Sequence, residues 1–266
     1  MWLPDVSEAA WALSLFRRSV LKQAKFRRIE SLLDDPSGRT NLDIGADNGV
    51  ISYLLRQRGG RWYSADLDAR AVESIRQLVQ KDVYQLSGAK TPFEDGTFDQ
   101  VVVVDYLEHI VDDAGFAREL LRIIKPGGNV LINVPHLKPN SLLNRFRHAI
   151  GLTDEWHGHV RPGYTASQLR ALLGPSFDLD RTITYSRAFS ELIDTGLNGL
   201  YVRMGQKNGQ ASQKGTVITQ TDMRKHRKQF LLLSILYPVL WSVAKLDALL
   251  WFQSGYKLIV RARRLA

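Results

Sequence analysis

The stretch Thr40-Asn41-Leu42-Asp43-Ile44-Gly45-Ala46-Asp47-Asn48-Gly49 constrains this chain more than any other. A short apolar run ends beside an acid, passes through two glycines four apart, and feeds the apolar-periodic segment Val50–Leu55. That pattern predicts strand, tight turn and helix. Glycine lets the backbone turn without a Cβ clash and lets a ligand approach the main chain. The new helix presents unpaired N–H groups at the same point. An open α/β sheet places nucleotide-like ligands just beyond the carboxyl end of such a strand. The two glycines alone admit any nucleotide.

The rest of the chain repeats the strand–helix alternation. Arg61–Asp66 predicts a second strand that ends in an acid, followed by a helix carrying Ala71, Val72, Ile75, Leu78 and Val79. Val83–Leu86 predicts a third strand. The turn-rich link 92–97 leads into Phe98–Val104, whose four consecutive valines indicate a strand buried on both faces at the centre of a parallel sheet. A helix over Asp113–Ile124, the turn Pro126-Gly127-Gly128 and a strand over Asn129–Val134 follow. Alternation at this spacing argues for right-handed βαβ units. The second half predicts a helix over Thr165–Leu173, a strand over Phe177–Thr184, a helix over Tyr185–Met204 weakened by Gly196 and Gly199, and a closing strand within Gly255–Arg261. Ser7 can cap a helix through Trp11, Leu13 and Phe16, and a second helical segment runs to Leu33.

The chain has 266 residues and no cysteine, which removes disulfides, thiolate metal sites and thiol nucleophiles, and fits a reducing compartment. Its first residues lack the charged and apolar blocks of a signal peptide. The net charge of +9 is unevenly placed. From Arg203 onward stand twelve Lys/Arg against Asp222 and Asp247 only, so the tail carries +10 and the first 202 residues are close to neutral. The basicity therefore belongs to the tail and poses the question of what the tail touches. In the N-terminal segment, six cations (Arg17, Arg18, Lys22, Lys25, Arg27, Arg28) nearly balance five acids. They read as a solvated helix face packing over the ligand cleft, or less simply as a nucleic-acid arm.

Leu42–Gly49 resembles the first signature of the class I S-adenosylmethionine-dependent methyltransferases. Asp66, seventeen residues past Gly49, stands where that family ends its second strand in an acid. Thr91-Pro92-Phe93-Glu94-Asp95-Gly96-Thr97-Phe98-Asp99, Tyr106-Leu107-Glu108-His109-Ile110 and Ile124-Lys125-Pro126-Gly127-Gly128 resemble its later signatures in order. The resemblance covers about Asn41 to Val134, with a likeness to ubiquinone-biosynthesis methyltransferases. It implies a Rossmann-like α/β fold: a mostly parallel seven-stranded sheet, helices on both faces, and an antiparallel last strand at or near the edge. It implies S-adenosyl-L-methionine as cofactor, touched by Asp43, Gly45, Asp47, Gly49, Asp66, Leu67, Gly88, Ala89, Asp105 and Tyr106.

The residue chemistry agrees. A nicotinamide site wants Gly-x-Gly-x-x-Gly, whereas Asp43 and Asp47 flank this loop and suit a ligand with an amino group better than a pyrophosphate. Asp66 can accept from both ribose hydroxyls; the plainer reading is a helix N-cap, as for Asp43 it is a turn-stabilising carboxylate. Two departures from the family pattern stand out. Gly88 occupies a position where an acid often meets the adenine amine. Asp47 replaces a glycine, which an aspartate tolerates because it accepts left-handed backbone. Methyl transfer gains most of its acceleration from alignment, and a base is needed only for a protonated acceptor. His109 and His136 are the candidates for catalysis. His157, His159, Tyr185 and Arg187 are candidates for the acceptor, with Glu191 on the same positional ground. No metal is expected. The alternative is Asp105, Glu108 and His109, which resemble the metal motif of ubiquinone-type O-methyltransferases; His157 and His159 alone make a poor metal site.

The expected organisation is an N-terminal helical cap (1–38), a cofactor-binding core (39–204), a polar linker or mobile loop (205–229), and an apolar helix plus closing strand (230–266). The run Phe230–Ala244 is apolar nearly all round and reads as too short to span a bilayer before Lys245 and Asp247. With the basic cluster before it and Trp241, Trp251, Phe252 and Tyr256 along it, region 225–256 fits an element lying in a membrane interface. A cover for a greasy acceptor pocket or a dimer face fits equally. The reading is a cytoplasmic methyltransferase, peripheral to the inner face of a membrane, acting by O- or C-methylation on a small or lipid-linked acceptor. The rivals are a non-catalytic, membrane-docked cofactor-binding partner and a nucleic-acid methyltransferase.

Overall fold

Val101 to Val104 lie in β4 (Phe98–Val104) with all four side chains buried. Successive side chains on a strand point to opposite faces. Val101 and Val103 accordingly enter one apolar layer and Val102 and Val104 the other. This strand is the centre of a seven-stranded sheet, as its valines predict. The computed structural model describes residues 8–45, 47–207 and 227–266.

The sheet comprises β1 (Thr40–Ile44), β2 (Arg61–Asp66), β3 (Val83–Gln85), β4, β5 (Ile124–Pro135), β6 (Phe177–Tyr185) and β7 (Lys257–Arg264), in the order β3-β2-β1-β4-β5-β7-β6. β1 to β5 pair in parallel, and β7 is antiparallel to both β5 and β6. The last strand thus sits one place in from the edge, between two partners, where Leu258, Ile259 and Val260 are fully buried. Strand order reverses direction between β1 and β4, the place where open α/β sheets open a ligand crevice.

One face carries α1 (Glu8–Arg17), α2 (Val20–Leu32) and α3 (Val50–Arg56), which bury Trp11, Phe26, Ile29 and Leu55. The other carries α5 (Asp113–Ile123) and α7 (Ala166–Leu173), which bury Phe116, Leu120 and Leu169. α4 (Ala69–Val79) packs on α3 and β3. α6 (Leu142–Ala149) rests on α8 (Ala188–Lys207), and α8 and α9 (Arg227–Lys245) both meet α2.

The structure revises three sequence expectations. β5 begins at Ile124, since the Pro126–Gly128 turn is absorbed into the strand at a register shift opposite Phe98 and Gln100. The helix over 185–204 forms as α8 from Ala188 and runs on to Lys207 despite its glycines, and Gly199 leaves room for Ile150, the residue that ends α6. The apolar tail is not too short: α9 continues through the 3-10 turn Leu246–Leu250, so Phe230–Leu250 is a 21-residue helical stretch of mean hydropathy 1.5, long and apolar enough to cross a membrane. Most of the expected linker, residues 208–226, lies outside the described residues.

Phe116, fully buried beneath β4 and β5, reports on this core. Phe116→Ala is expected to cost about 3–5 kcal/mol of stability, measured as a lower urea midpoint at unchanged slope.

Candidate functional site

The loop after β1 is shaped by what surrounds it. Gly45 has φ +82°, and a Cβ there would lie 2.1 Å from the Val104 carbonyl oxygen of β4. Gly49, also at +82°, starts α3 so close to α4 that a Cβ would lie 2.8 Å from Ile75 Cα. No other residue fits either position without displacing the backbone. Asp47 adopts φ +55°, in line with the tolerance expected of an aspartate.

The two loop acids face different ways. Asp43 is fully buried, and its carboxylate accepts from Ser52 Oγ (2.5 Å) and Ser64 Oγ (2.9 Å), with the Arg56 guanidinium 3.6 Å away. Burial raises its pKa against the pull of Arg56 and the two serines. Asp43 therefore braces β1, β2 and α3, the turn-stabilising role of the plainer reading, and does not face the cleft. Asp47 is half exposed and binds Lys22 Nζ of α2 at 2.9 Å.

Asp66 ends β2 half buried, and its Oδ1 accepts from the Asp68 amide at 3.1 Å. The helix cap belongs instead to Asp68, whose Oδ1 takes the Arg70 amide at 2.7 Å. Burial, reinforced by the nearby Asp47 charge, lifts the Asp66 carboxyl to about 6. Leu67 follows half buried. Across the crevice, Gly88 is exposed with open space where a Cβ would lie, and Ala89 beside it packs on the core. The buried Tyr106 donates its hydroxyl to the Gly88 carbonyl at 2.9 Å and packs under Gly45, so its ring walls the crevice. Asp66, Leu67, Gly88, Ala89 and Tyr106 thus gather at the carboxyl ends of β2, β3 and β4, beside the glycine turn that follows β1.

Asp105, the first residue past β4, has φ +45°. Its carboxylate takes Asn133 Nδ2 at 2.8 Å and the Lys25 ammonium of α2, and Asn133 Oδ1 in turn accepts from the buried Tyr185 hydroxyl at 2.5 Å. Burial opposes ionisation, but Lys25 and Lys257 overcome it and hold the Asp105 carboxyl well below the usual carboxylate range. Lys257, at the start of β7, is kept charged against burial by Asp105 and Glu191.

Next to this chain lies a second cluster. Glu108 is 1% exposed, and its Oε2 has no hydrogen-bond partner. Burial, then the Asp105 charge, pushes its carboxyl up to about 8. The loop 153–160 closes over it through the Val160 amide, which donates to the Glu108 carbonyl at 2.8 Å. That loop stacks His159 edge-on to His109, ring centres 4.9 Å apart. Ligand atoms of Glu108, His109 and His159 lie within 4.8 Å of one another, a grouping able to hold a metal ion. The anticipated trio of Asp105, Glu108 and His109 is corrected here, since Asp105 is engaged by Lys25 and Asn133 and His159 takes its place. Burial and the neighbouring His109 and His157 lower the His159 pKa to about 3, leaving the ring neutral. His109 Nδ1 lies 2.9 Å from the Gly158 carbonyl, which can only accept, so Nδ1 carries a hydrogen and Nε2 is the nitrogen left to meet a ligand.

Other anticipated residues serve the frame. His136 Nδ1 binds the Gly255 carbonyl at 2.8 Å, and His157 Nδ1 the Thr153 carbonyl at 2.8 Å. Arg187 is corrected from an acceptor group to a tail anchor: its Nε donates to the Gln253 carbonyl at 2.8 Å and its amide to Asp247 at 2.7 Å. Glu191 is buried against Arg147 at 2.6 Å and locks α6 to α8. Sequence reasoning missed Lys22, Lys25 and Lys257. The first two stand one helical turn apart on α2, a spacing that puts them on one face, but six cations in that segment left no sign of which face turns inward.

Residues 42–132 match the family model described as a methyltransferase domain. The chain is 33% identical over 113 residues to a ubiquinone biosynthesis O-methyltransferase of Pseudomonas paraeruginosa, covering 40% of this chain and 49% of that protein. It is 30% identical over 115 residues to a norajmaline N-methyltransferase of Rauvolfia serpentina, covering 40% and 39%. The chain spans less than half the length of each of these two relatives. A solved S-adenosylmethionine-dependent methyltransferase from Mesorhizobium loti superposes with a TM-score of 0.57 at 14% identity, over 91% of this chain and 98% of that one. The fold is that of the class I, Rossmann-like methyltransferases. Over residues 42–132 the chain resembles a methyltransferase domain, and S-adenosylmethionine is the cofactor that such a domain implies.

A carboxyl raised from 4.5 to about 8 favours the folded state at low pH and loses that contribution as pH climbs between those values. Glu108→Gln is therefore expected to flatten the fall in stability between about pH 5 and 8, read from urea midpoints taken in chelator.

Proposed function

We propose that this protein transfers a methyl group from S-adenosylmethionine to a small, hydrophobic or lipid-linked acceptor, by O- or C-methylation, in the cytoplasm at the inner face of a membrane. The observation that carries the reading is the crevice between β1 and β4, where Asp66, the Gly88 loop and Tyr106 converge beside a glycine turn. The donor set fits the cofactor. The Asp66 carboxylate, reached by the Asp68 amide and by those of Asp47 and Leu67, offers its remaining acceptor sites to the ribose. Gly88, with Ala89 and Leu67, leaves an open, partly apolar place for the base. The pairs Lys22–Asp47 and Lys25–Asp105 offer both signs of charge to a zwitterionic amino-acid end. When bound, S-adenosylmethionine supplies an electrophilic methyl group on a sulfonium.

The chain's own work is then alignment and proton handling. Tyr106 and the glycine turn fix one side of the crevice, and Asp105 is held in place by Asn133 and Lys25. A proton on an acceptor oxygen would pass to His109 Nε2 or to Glu108, whose raised pKa suits a base near neutrality. His159 forms part of the acceptor wall. O-methylation is also the reaction named for the ubiquinone biosynthesis relative.

A second reading adds a divalent cation on Glu108, His109 and His159, favoured by the unpartnered Glu108 Oε2. Mixed carboxylate and imidazole ligands suit zinc, manganese or iron(II). Loss of methyl transfer in chelator, restored by one of these ions, would support it; full activity in chelator would remove it.

Calorimetry with S-adenosylmethionine and its demethylated product tests the main reading. Asp66→Ala is expected to abolish binding while leaving the unfolding free energy from urea titration within about 1 kcal/mol of wild type. Since Asp66 must be ionised to accept ribose hydroxyls, affinity should fall about tenfold per pH unit below its pKa of about 6. Binding without turnover on lipid extracts favours the non-catalytic rival, and turnover on RNA alone favours the nucleic-acid one.

A further inference from the structure

A helix on the surface of a soluble protein ordinarily turns a polar stripe outward. α9 does not. No charged residue occurs between Lys228 and Lys245. The stripe formed by Phe230, Leu233, Tyr237 and Leu240 is half buried against α2 and α8, where Gln23 Nε2 donates to the Tyr237 hydroxyl at 3.0 Å. The opposite stripe is also apolar and fully outward: Leu231, Ile235 and Val239 are each about 60% exposed or more. The surface continues through the 3-10 turn into Leu249, Trp251 and Phe252, exposed 68%, 78% and 67%.

From these observations we infer that the outer stripe of α9, with Leu249, Trp251 and Phe252, docks the protein in the plane of an anionic lipid surface. The inference rests on the methyltransferase reading above and supplies its partner surface. Exposed apolar area of this extent marks an interaction face, and charge decides the occupant. Arg227 and Lys228 open α9 and Lys245 closes it with no acid between them, whereas Lys257 and Arg261 of the same basic tail face acids inside the fold. A second copy laid on the same face would set these flanking cations against one another, whereas anionic headgroups neutralise them. Trp241, with the Lys245 ammonium 4.8 Å from its ring centre, and the edge-on pair Trp251–Phe252 are the amphipathic groups that settle at headgroup level.

Geometry selects lying over spanning. Asp247 accepts from the amides of Arg187, Phe189 and Ser190 at 2.7, 2.9 and 3.3 Å and so caps α8. With Tyr237 held by Gln23, both halves of the helical stretch are fastened to the globular fold by polar groups that hydrocarbon would strand. The surface also adjoins the acceptor side. Residues 251–256 lead into Lys257, which pairs in register with Pro135 at the carboxyl end of β5, and α2 carries both Lys25 of the site and the seat of α9. A lipid-linked acceptor would reach the crevice from the surface that the tail lies on.

Flotation of the full chain with vesicles of phosphatidylcholine alone, and of phosphatidylcholine mixed with phosphatidylglycerol, tests this. Binding is expected to the anionic vesicles only, to weaken with salt, to drop at least tenfold in the double variant Trp251→Ser/Phe252→Ser and in Ile235→Glu, and to be released by alkaline wash. Calorimetry on the same preparations should give unchanged S-adenosylmethionine affinity in every variant. No flotation by protein that still binds the cofactor overturns the docking surface alone, as does wild-type flotation by both variants. Resistance to alkaline wash overturns the in-plane arrangement, and a dimer in ultracentrifugation that Ile235→Glu dissociates assigns the face to a second copy instead. Loss of cofactor affinity in the wild-type chain is a separate result, and it removes the methyltransferase reading.

Discussion

Asp105 holds the functional end of the molecule together. Its carboxylate joins Lys25 of the N-terminal helices to Asn133 of β5, and Asn133 passes the link to Tyr185 at the end of β6. One acid thus ties the cap to three strand ends. It can do so because it is kept ionised: with only partial exposure, an unpaired carboxylate would take up a proton, and the ammonium groups of Lys25 and Lys257 prevent this. The consequence is a sorting of neighbours. The same negative charge, a short distance along the chain, pushes Glu108 the other way. Two carboxyl groups three residues apart are thereby set to opposite protonation states near neutrality, one fixed as an anion and one poised to exchange a proton.

The remainder of the site depends on close backbone approach. Gly45 brings β1 against β4, and Gly49 brings α3 against α4, which opens the crevice at the point where strand order reverses. Asp43 supports this from below, its hydrogen bonds spent on Ser52 and Ser64 inside the fold. Loop and cap therefore act as one unit. α2 supplies lysines to Asp47 and Asp105, rests on the sheet through Phe26 and Ile29, and carries α9 on its outer side. An element that reads as a solvated basic helix is the member linking the crevice to the tail.

Much of this was legible before any coordinates. The alternation of strands and helices, the central valine strand, the glycine turn and the acid ending β2 are local patterns, and local backbone preference with two-sided burial determines them wherever they occur. The helix over 188–207 was harder to read, because its two glycines argue against a helix and only packing on α6 and α9 settles the matter. The site was half legible. Asp66 and Tyr106 stand where their motifs put them, but Asp43 turns inward and Arg187 turns to the tail, since a side chain's direction follows from neighbours distant in sequence.

By itself the sequence determined the class of fold, the position of the crevice and the uneven charge of the chain, because periodicity, glycine placement and composition act over a few residues at a time. Only the tertiary structure decided which lysines meet the loop acids, that His159 joins Glu108 and His109 across fifty residues, and that the apolar tail is fastened along one side and bare along the other. Those outcomes are juxtapositions between distant segments, and their energy comes from burial and charge pairing that exist only once the sheet has brought the segments together.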